Sequence, residues 1–263
     1  KSQAIMKDLT HNQKVKMLQA FAWIGAIFTL TFYWNLQLLF CALFTGWLIH
    51  GLGLCVSMHR MITHRSFKPR NKLVKYFLCF LSTICTLGSV IAWPTTHRNH
   101  HKYTDTKKDP TYPHGSWWHT VKCFFYYFPT HDDYQGAMVV KDLVKDKDYA
   151  WFHRNYFNII LTYILVLGII NPLYIGYFYC VAMIPVFIGI GWVSVLAHLP
   201  KLSFFGYKNY RIKDTSYNSH FWQLLTMGEG LHNNHHARPA DWNTAKKWHE
   251  FDIASLFIRL FRR

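Results

Sequence analysis

Eight histidines fall into three short clusters: His59 and His64 in HRMITH, His97, His100 and His101 in HRNHH, and His232, His235 and His236 in HNNHH. Imidazole is a preferred ligand of iron, copper, zinc and nickel, so histidine clustered in this way points to a metal centre. Positions i, i+3 and i+4 share one face of an α-helix, and the second and third clusters both have that spacing. His59 and His64 are five apart, about 140° off-face on a regular helix. The first cluster is therefore expected to end a helix at His59 and to bring His64 round through a turn or bulge. His198, in SVLAHLP at the end of an apolar stretch, is a ninth candidate; the bland reading is a polar residue snorkelling at a helix end. Eight or nine imidazoles exceed what one four- to six-coordinate ion holds, so two metals are expected. A single structural zinc would use four ligands and leave the others unexplained.

The elements that must position these rings are membrane helices. Hydrophobic residues make up 51% of the 263-residue chain while the net charge is +16, and the two are segregated along it. Residues 17–58 and 155–200 contain no Asp, Glu, Lys or Arg. Each block is about twice the roughly 20 residues that one helix needs to cross a bilayer, so each reads as a helical hairpin. The breaks at Trp34-Asn35 and Asn171-Pro172 give spans of about 17–34, 36–58, 156–170 and 173–198, with a kink expected at Pro185 in the last. All 29 Lys and Arg lie outside these blocks, so both termini and the central segment are expected on the cytoplasmic side.

Residues 76–93 are also apolar and almost long enough to span. Were they to cross, HRMITH and HRNHH would be separated by about 30 Å of hydrocarbon. The run is therefore read as a helix that dips or is covered rather than crosses. The expected architecture is a single all-α membrane domain, 1–263, with four spans and a helical cytoplasmic cap (59–154 and 199–263) that holds the dimetal site. No cleavable leader pattern precedes the first span. Six cysteines without CxxC spacing are expected to be reduced packing residues. No nucleic-acid motif accompanies the basic charge.

The motifs resemble those of the integral-membrane fatty acid desaturases, in particular the acyl-CoA Δ9 branch. The resemblance is carried by His59-Arg60 through His64-Arg65-Ser66-Phe67, by Trp93 four residues before His97-Arg98-Asn99-His100-His101, and by Asp105 and Asp109-Pro110. Gly228-Glu229-Gly230-Leu231-His232-Asn233-Asn234-His235-His236 and Lys247-Trp248-His249 complete it. It covers about residue 20 to the end. It implies a di-iron centre on nine histidines, the eight above plus His198, and a tenth position, an Asn holding a metal-bound water, where this chain has Ser194.

The resemblance further implies that O2 and two electrons remove two hydrogens from a saturated acyl chain, most simply a CoA thioester, leaving a cis double bond. With no haem or iron–sulfur motif in the chain, electrons would come from a cytochrome b5-like or ferredoxin-like donor. A membrane hydroxylase or ketolase acting on a lipid, alkane or carotenoid is the alternative, although the first box lacks the HExxH form of the alkane hydroxylases. A non-catalytic metal transporter would place its ligands near mid-membrane, not at span ends. Asp105, Asp109 and Glu229 are candidates to orient the imidazoles, the two aspartates reading equally well as a solvated loop. His50, nine residues before His59, is too far along the helix to coordinate and is read as a packing or tunnel-lining residue. His11, His114, His119, His131, His153, His220 and His249 are read as surface or packing residues. The stretch 248–263 reads either as an interfacial helix with basic residues at its end or as an ordinary packing helix.

Overall fold

A computed structural model describes residues 10–111, 115–125, 138–199 and 206–263. Helix α1 (His11–Phe32) starts at a reciprocal capping box between Thr10 and Gln13. At the Trp34-Asn35 break the Asn35 side chain accepts the Leu38 N–H at 2.9 Å and so starts the next helix. The break is pinned from the second hairpin: the Tyr177 hydroxyl donates to the Tyr33 carbonyl (2.6 Å) and accepts the Asn35 N–H (2.8 Å).

The second helix, α2 (Leu36–Thr63), is α-helical to Leu48 and then widens into a π-helix from Ile49 to Thr63. This corrects the expected end at His59. Helix α3 (Lys72–Ile84) packs along α2, where the Ser82 hydroxyl lies 2.8 Å from the Gly53 carbonyl and 2.7 Å from Ser57 Oγ. Its 13 residues extend about 20 Å. Thr86 and Gly88, both with positive φ (58° and 112°), then turn the chain into α4 (Ala92–Tyr103). Gln19 of α1 donates to the Thr86 carbonyl and holds this turn. The 76–93 run is thus a helix, a turn and a helix start, and is not among the helices long and apolar enough to cross a membrane.

Helices α5 (Trp117–Phe125) and α6 (Lys141–Lys145) lead to α7 (Lys147–Arg154), bent by 61° from α8 (Tyr156–Ile170). Asn171 caps α9 (Pro172–His198), with Pro172 in the first turn, where its missing N–H costs nothing. The remaining helices are short: α10 (His220–Leu225), α11 (His232–Ala237) and α12 (Ile253–Phe261).

Helices α1, α2 and α9 are each long and apolar enough to cross a membrane, and the bent α7–α8 pair makes a fourth candidate span. Their most apolar stretches differ in burial, 28% in α1 against 78% in α9. Helix α9 is therefore the central helix, and the others turn apolar side chains such as Ile24, Phe40, Leu165 and Ile169 outward. An outward belt of this kind is expected of surface solvated by lipid tails. The fold is all-α with three to four candidate spans, as the charge segregation implied.

Candidate metal centre

All nine candidate histidines converge, in two adjoining groups. His59, His64, His97, His101 and His235 form one; His100, His198, His232 and His236 form the other; within each group the ligand nitrogens lie within 4.8 Å of one another. The groups touch where the His101 and His236 rings stack at 4.4 Å.

Local backbone structure explains how each cluster reaches this place. In the π-helical end of α2 the His64 N–H donates to the His59 carbonyl (3.1 Å), an i→i+5 bond, and the Thr63 hydroxyl reaches back to the Met58 carbonyl at 2.7 Å. A five-residue spacing faces one way on such a helix, and the two rings sit 4.9 Å apart. No separate turn is needed between them, contrary to the expectation from regular α-helical geometry.

In α4 the i, i+3, i+4 spacing works as expected, and Trp93 stacks on His97 at 4.6 Å and 13°. From the same helix Arg98 grips Asp142 with both ends of its guanidinium (2.7 and 3.0 Å) and donates to the Thr63 carbonyl (2.9 Å), locking the first two boxes together. The six-residue α11 cannot hold itself, so its two asparagines fasten it. Asn233 accepts the N–H groups of Asn209 and Tyr210, and Asn234 donates to Thr244 and Glu250. His198 ends α9 in a tight 3₁₀ turn and is fully buried.

The outer nitrogens of four rings meet carboxylates. His59 Nδ1–H donates to Glu229 (2.7 Å), His100 Nδ1–H to Asp109 (3.0 Å) and His236 Nδ1–H to Asp214 (2.9 Å), while His198 Nδ1 lies 3.4 Å from Asp105. Asp105, Asp109 and Glu229 thus lie beside the rings. Asp214 was missed: it is one acid in a basic loop, 22 residues from the ring it meets. The Asn233 and Asn234 fasteners, and the Arg60 guanidinium described below, were also not foreseen.

Each carboxylate is itself held. Thr215 donates twice to Asp105, Ser216 twice to Asp214, and the N–H groups of Asp105 and Thr111 both reach Asp109. Burial alone would raise the Glu229 and Asp109 carboxyls. The hydrogen-bonded imidazoles outweigh it, helped at Glu229 by Arg60, and keep both below the usual carboxylate range.

With Nδ1 protonated and anchored, the Nε2 lone pairs of these rings point inward. The Nε2–Nε2 separations are 2.9 Å for His59–His235, 3.0 Å for His235–His101, His101–His97 and His198–His232, and 3.4 Å for His100–His236. Bare lone pairs at this distance repel. Two imidazoles bound at about 2.1 Å to one ion at right angles have their nitrogens about 3.0 Å apart, so the separations suit a shared cation. Burial, reinforced by neighbouring imidazoles, pushes His64, His97, His101, His232, His235 and His236 well below the ordinary histidine range. All six are neutral, the form that binds metal. The buried Nε2 of His64 and Nδ1 of His232 have no hydrogen-bond partner among the described residues. A nitrogen-rich transition-metal pair fits this donor set.

Under the centre lies a buried ion pair. Arg60, next to ligand candidate His59, donates to Asp252 (2.6 Å), to the Trp242 carbonyl (2.8 Å) and to the Gly228 carbonyl (2.7 Å). Gly228 has φ +143°, and a Cβ there would meet Ala254, Arg60 and Asp252 at 3.0 Å or less, so only glycine serves beside Glu229.

A fatty acid desaturase model matches residues 33–255. The chain belongs to the fatty acid desaturase family. It is 35% identical over 84% of its length to an sn-1 stearoyl-lipid 9-desaturase of Anabaena variabilis, covering 79% of that protein. It is 30% identical over 83% to Delta-9 acyl-lipid desaturase 2 of Arabidopsis thaliana (70% of that protein). A probable acyl-CoA desaturase of Schizosaccharomyces pombe is 32% identical over 79% of the chain, which spans 44% of that protein.

Ser194 is buried in the last α-helical turn before His198. His50 is buried with both ring nitrogens unpartnered among the described residues and belongs to neither group. His153 lies 2.5 Å from the Ser89 hydroxyl and packs with His11, and His220 and His249 pair at the surface at 3.4 Å. His119 joins neither group, and His114 and His131 lie outside the described residues. Cys41, Cys55, Cys79, Cys85 and Cys180 are free thiols; the Cys123 side chain lies outside the described ones.

Proposed function

We propose that this desaturase inserts a cis double bond at the Δ9 position of a saturated acyl chain, with two iron ions held by His59, His64, His97, His101 and His235 and by His100, His198, His232 and His236. The observation that carries the reading is the pair of buried, all-imidazole groups in contact with each other. Bound there, the irons would supply O2 activation and hydrogen abstraction from unactivated carbon, with electrons from an external cytochrome b5-like or ferredoxin-like donor. The protein's own part is orientation. Glu229, Asp109 and Asp214 fix the tautomers and ring planes of His59, His100 and His236, so that the inward nitrogens are preset, and Asp105 supplies a negative charge 3.4 Å from His198 Nδ1. Trp93 and the buried Trp192 exclude water from the first and second groups. Ser194, at the family's asparagine position, is the candidate for holding a metal-bound water.

Two of the similar desaturases are named for stearoyl-lipid and acyl-lipid substrates, which favours an acyl chain carried on a membrane lipid. A CoA thioester is the second reading, favoured by the similarity to the probable acyl-CoA desaturase. The basic N-terminal, central and C-terminal segments favour a single membrane domain with its metal centre on the cytoplasmic side. Expression in a host lacking its own desaturase tests the reaction. New Δ9-monounsaturated chains, absent with His235→Ala, support it; an unchanged profile with iron and a competent donor present refutes it. Labelled stearoyl-CoA against labelled stearoyl phospholipid in membranes blocked in acyl exchange decides the carrier.

A further inference from the structure

Two basic segments far apart in sequence are zipped together beside box one. The Arg70 N–H donates to the Phe261 carbonyl (2.7 Å), the Arg263 N–H to the Lys68 carbonyl (3.1 Å), and Pro69 bridges to Arg262. Lys68, Arg70, Lys72, Arg259, Arg262 and Arg263 are all exposed, and none is in a salt bridge with a carboxylate among the described residues, although Asp148 feels the charge of Lys72. The nearby acids are engaged elsewhere: Asp252 with Arg60, and Asp146 and Asp148 with Lys75. Arg259 and Arg262 lie over the Trp242 ring, at 5.8 and 4.2 Å.

Apolar side chains interleave with these cations. Leu73 and Leu260 are 76% and 62% exposed, Phe77 and Leu256 nearly half. Such exposure is costly in water. One turn beyond Phe77, Phe80 packs on Tyr163 of α8, the helix whose Leu161 and Leu165 also face outward. The platform therefore adjoins the outward-facing apolar belt.

We infer that the 68–77 segment and α12 with its Arg262-Arg263 tail form one composite platform that docks on the anionic surface of the protein's own bilayer. The leucines and Phe77 enter the acyl boundary and the six cations meet lipid phosphates. A basic, apolar-faced helix binds a membrane through these two terms together, and anionic lipid adds attraction for each cation near the surface. A soluble acidic protein would satisfy the charges but leave the apolar side chains next to the spans without cover, so lipid is the favoured occupant. The inference is independent of the acyl carrier and of the metal.

The test is hydrogen exchange on the full chain in nanodiscs of phosphatidylcholine alone or with phosphatidylglycerol. Exchange in 66–77 and 253–263 is expected to slow roughly tenfold or more with the anionic lipid, because several cations contribute. Lys68→Glu, Arg70→Glu and Arg263→Glu combined should abolish that gain while melting in neutral discs stays as in the wild type. If the triple variant melts early, Arg263→Glu alone should reduce the gain. Equal exchange in both discs, a gain that survives charge reversal, or the same gain from inorganic phosphate in neutral discs would each overturn the inference. So would slowing produced only by an added acidic protein.

Discussion

Replacing Asp252 by Ala isolates the buried strut beneath the metal centre. Arg60 and Asp252 are 2% and 0% exposed, so solvent screening does not discount the pair. Asp252 Oδ2 accepts from Arg60 (2.6 Å), the Thr244 N–H (2.8 Å) and the Thr244 hydroxyl (3.0 Å), and Oδ1 accepts from the Ser255 N–H as the cap of α12. Alanine leaves a guanidinium buried without its counter-charge, which costs about 3–5 kcal/mol, and losing the helix cap adds about 1 kcal/mol. Since domains are stable by only about 5–15 kcal/mol, a large fall in melting temperature is expected.

Asp252→Asn removes the charge at nearly constant volume. Its one amide oxygen can keep either the Ser255 N–H accepted at Oδ1 or the Arg60 and Thr244 bonds accepted at Oδ2, while its NH2 faces the other donors, so the charge is lost together with one set of bonds and melting should fall here too. Arg60 also holds the Gly228 carbonyl, next to the Glu229 that orients His59. Iron affinity should therefore drop with stability, by about 10–100-fold, the usual cost of loosening a group that orients a ligand. The assays are melting in detergent and iron per chain after equilibration with a competing chelator. Asp252→Ala that melts within about 1 kcal/mol of wild type and keeps its iron would refute the reasoning.

Glu229→Gln should weaken iron binding about 10–100-fold by the same competition assay, with little change in the fold, because the amide oxygen still accepts from His59. His100→Ala and His235→Ala should each abolish product and lower iron content, read by fatty acid analysis and metal assay, since they take a ligand from the second and first group respectively. Chelated protein should lose stability as pH falls through about 6.5 and below: six histidines have folded-state values lowered by burial, so the unfolded chain binds protons that the folded chain refuses. The iron-loaded protein, whose ligand nitrogens take no proton until the metal leaves, should start from a higher melting temperature and fall at least as steeply over the same range. Gly228→Ala should destabilise by more than about 1 kcal/mol, seen as lower melting, since it adds both backbone strain at φ +143° and a clash with Ala254.

What the sequence revealed and what it concealed divide along one physical line. Chemistry that follows from residue type and short spacing was legible: the i, i+3, i+4 boxes, the charge-free hairpins, and Asp109, nine residues from its ring. Glu229 stood out only as a neighbour of HNNHH, whereas the ring it meets, His59, is 170 residues away. Parity of crossings was legible too, because 76–93 could not span without separating histidines that the structure holds 4.5 Å apart, as in the His59–His97 pair. Hidden were features that depend on backbone form or on partners distant in sequence. The HxxxxH spacing looked off-face because 3.6 residues per turn was assumed; a helix bonded i→i+5 makes that spacing the aligned one.

Asp214 and Asp252 carry no local mark, since each meets its partner only after the chain has returned across 22 and 192 residues. The asparagines of HNNHH are an intermediate case. Between ligand positions they look like spacers, yet a six-residue helix has too few internal bonds to fix three imidazoles, and something must clamp it from outside. Asn233 and Asn234 do so by bonding to backbone at Asn209, Tyr210 and Thr244. Wherever a ligand-bearing helix is this short, its non-ligand polar positions are therefore the first place to look for the residues that set metal geometry.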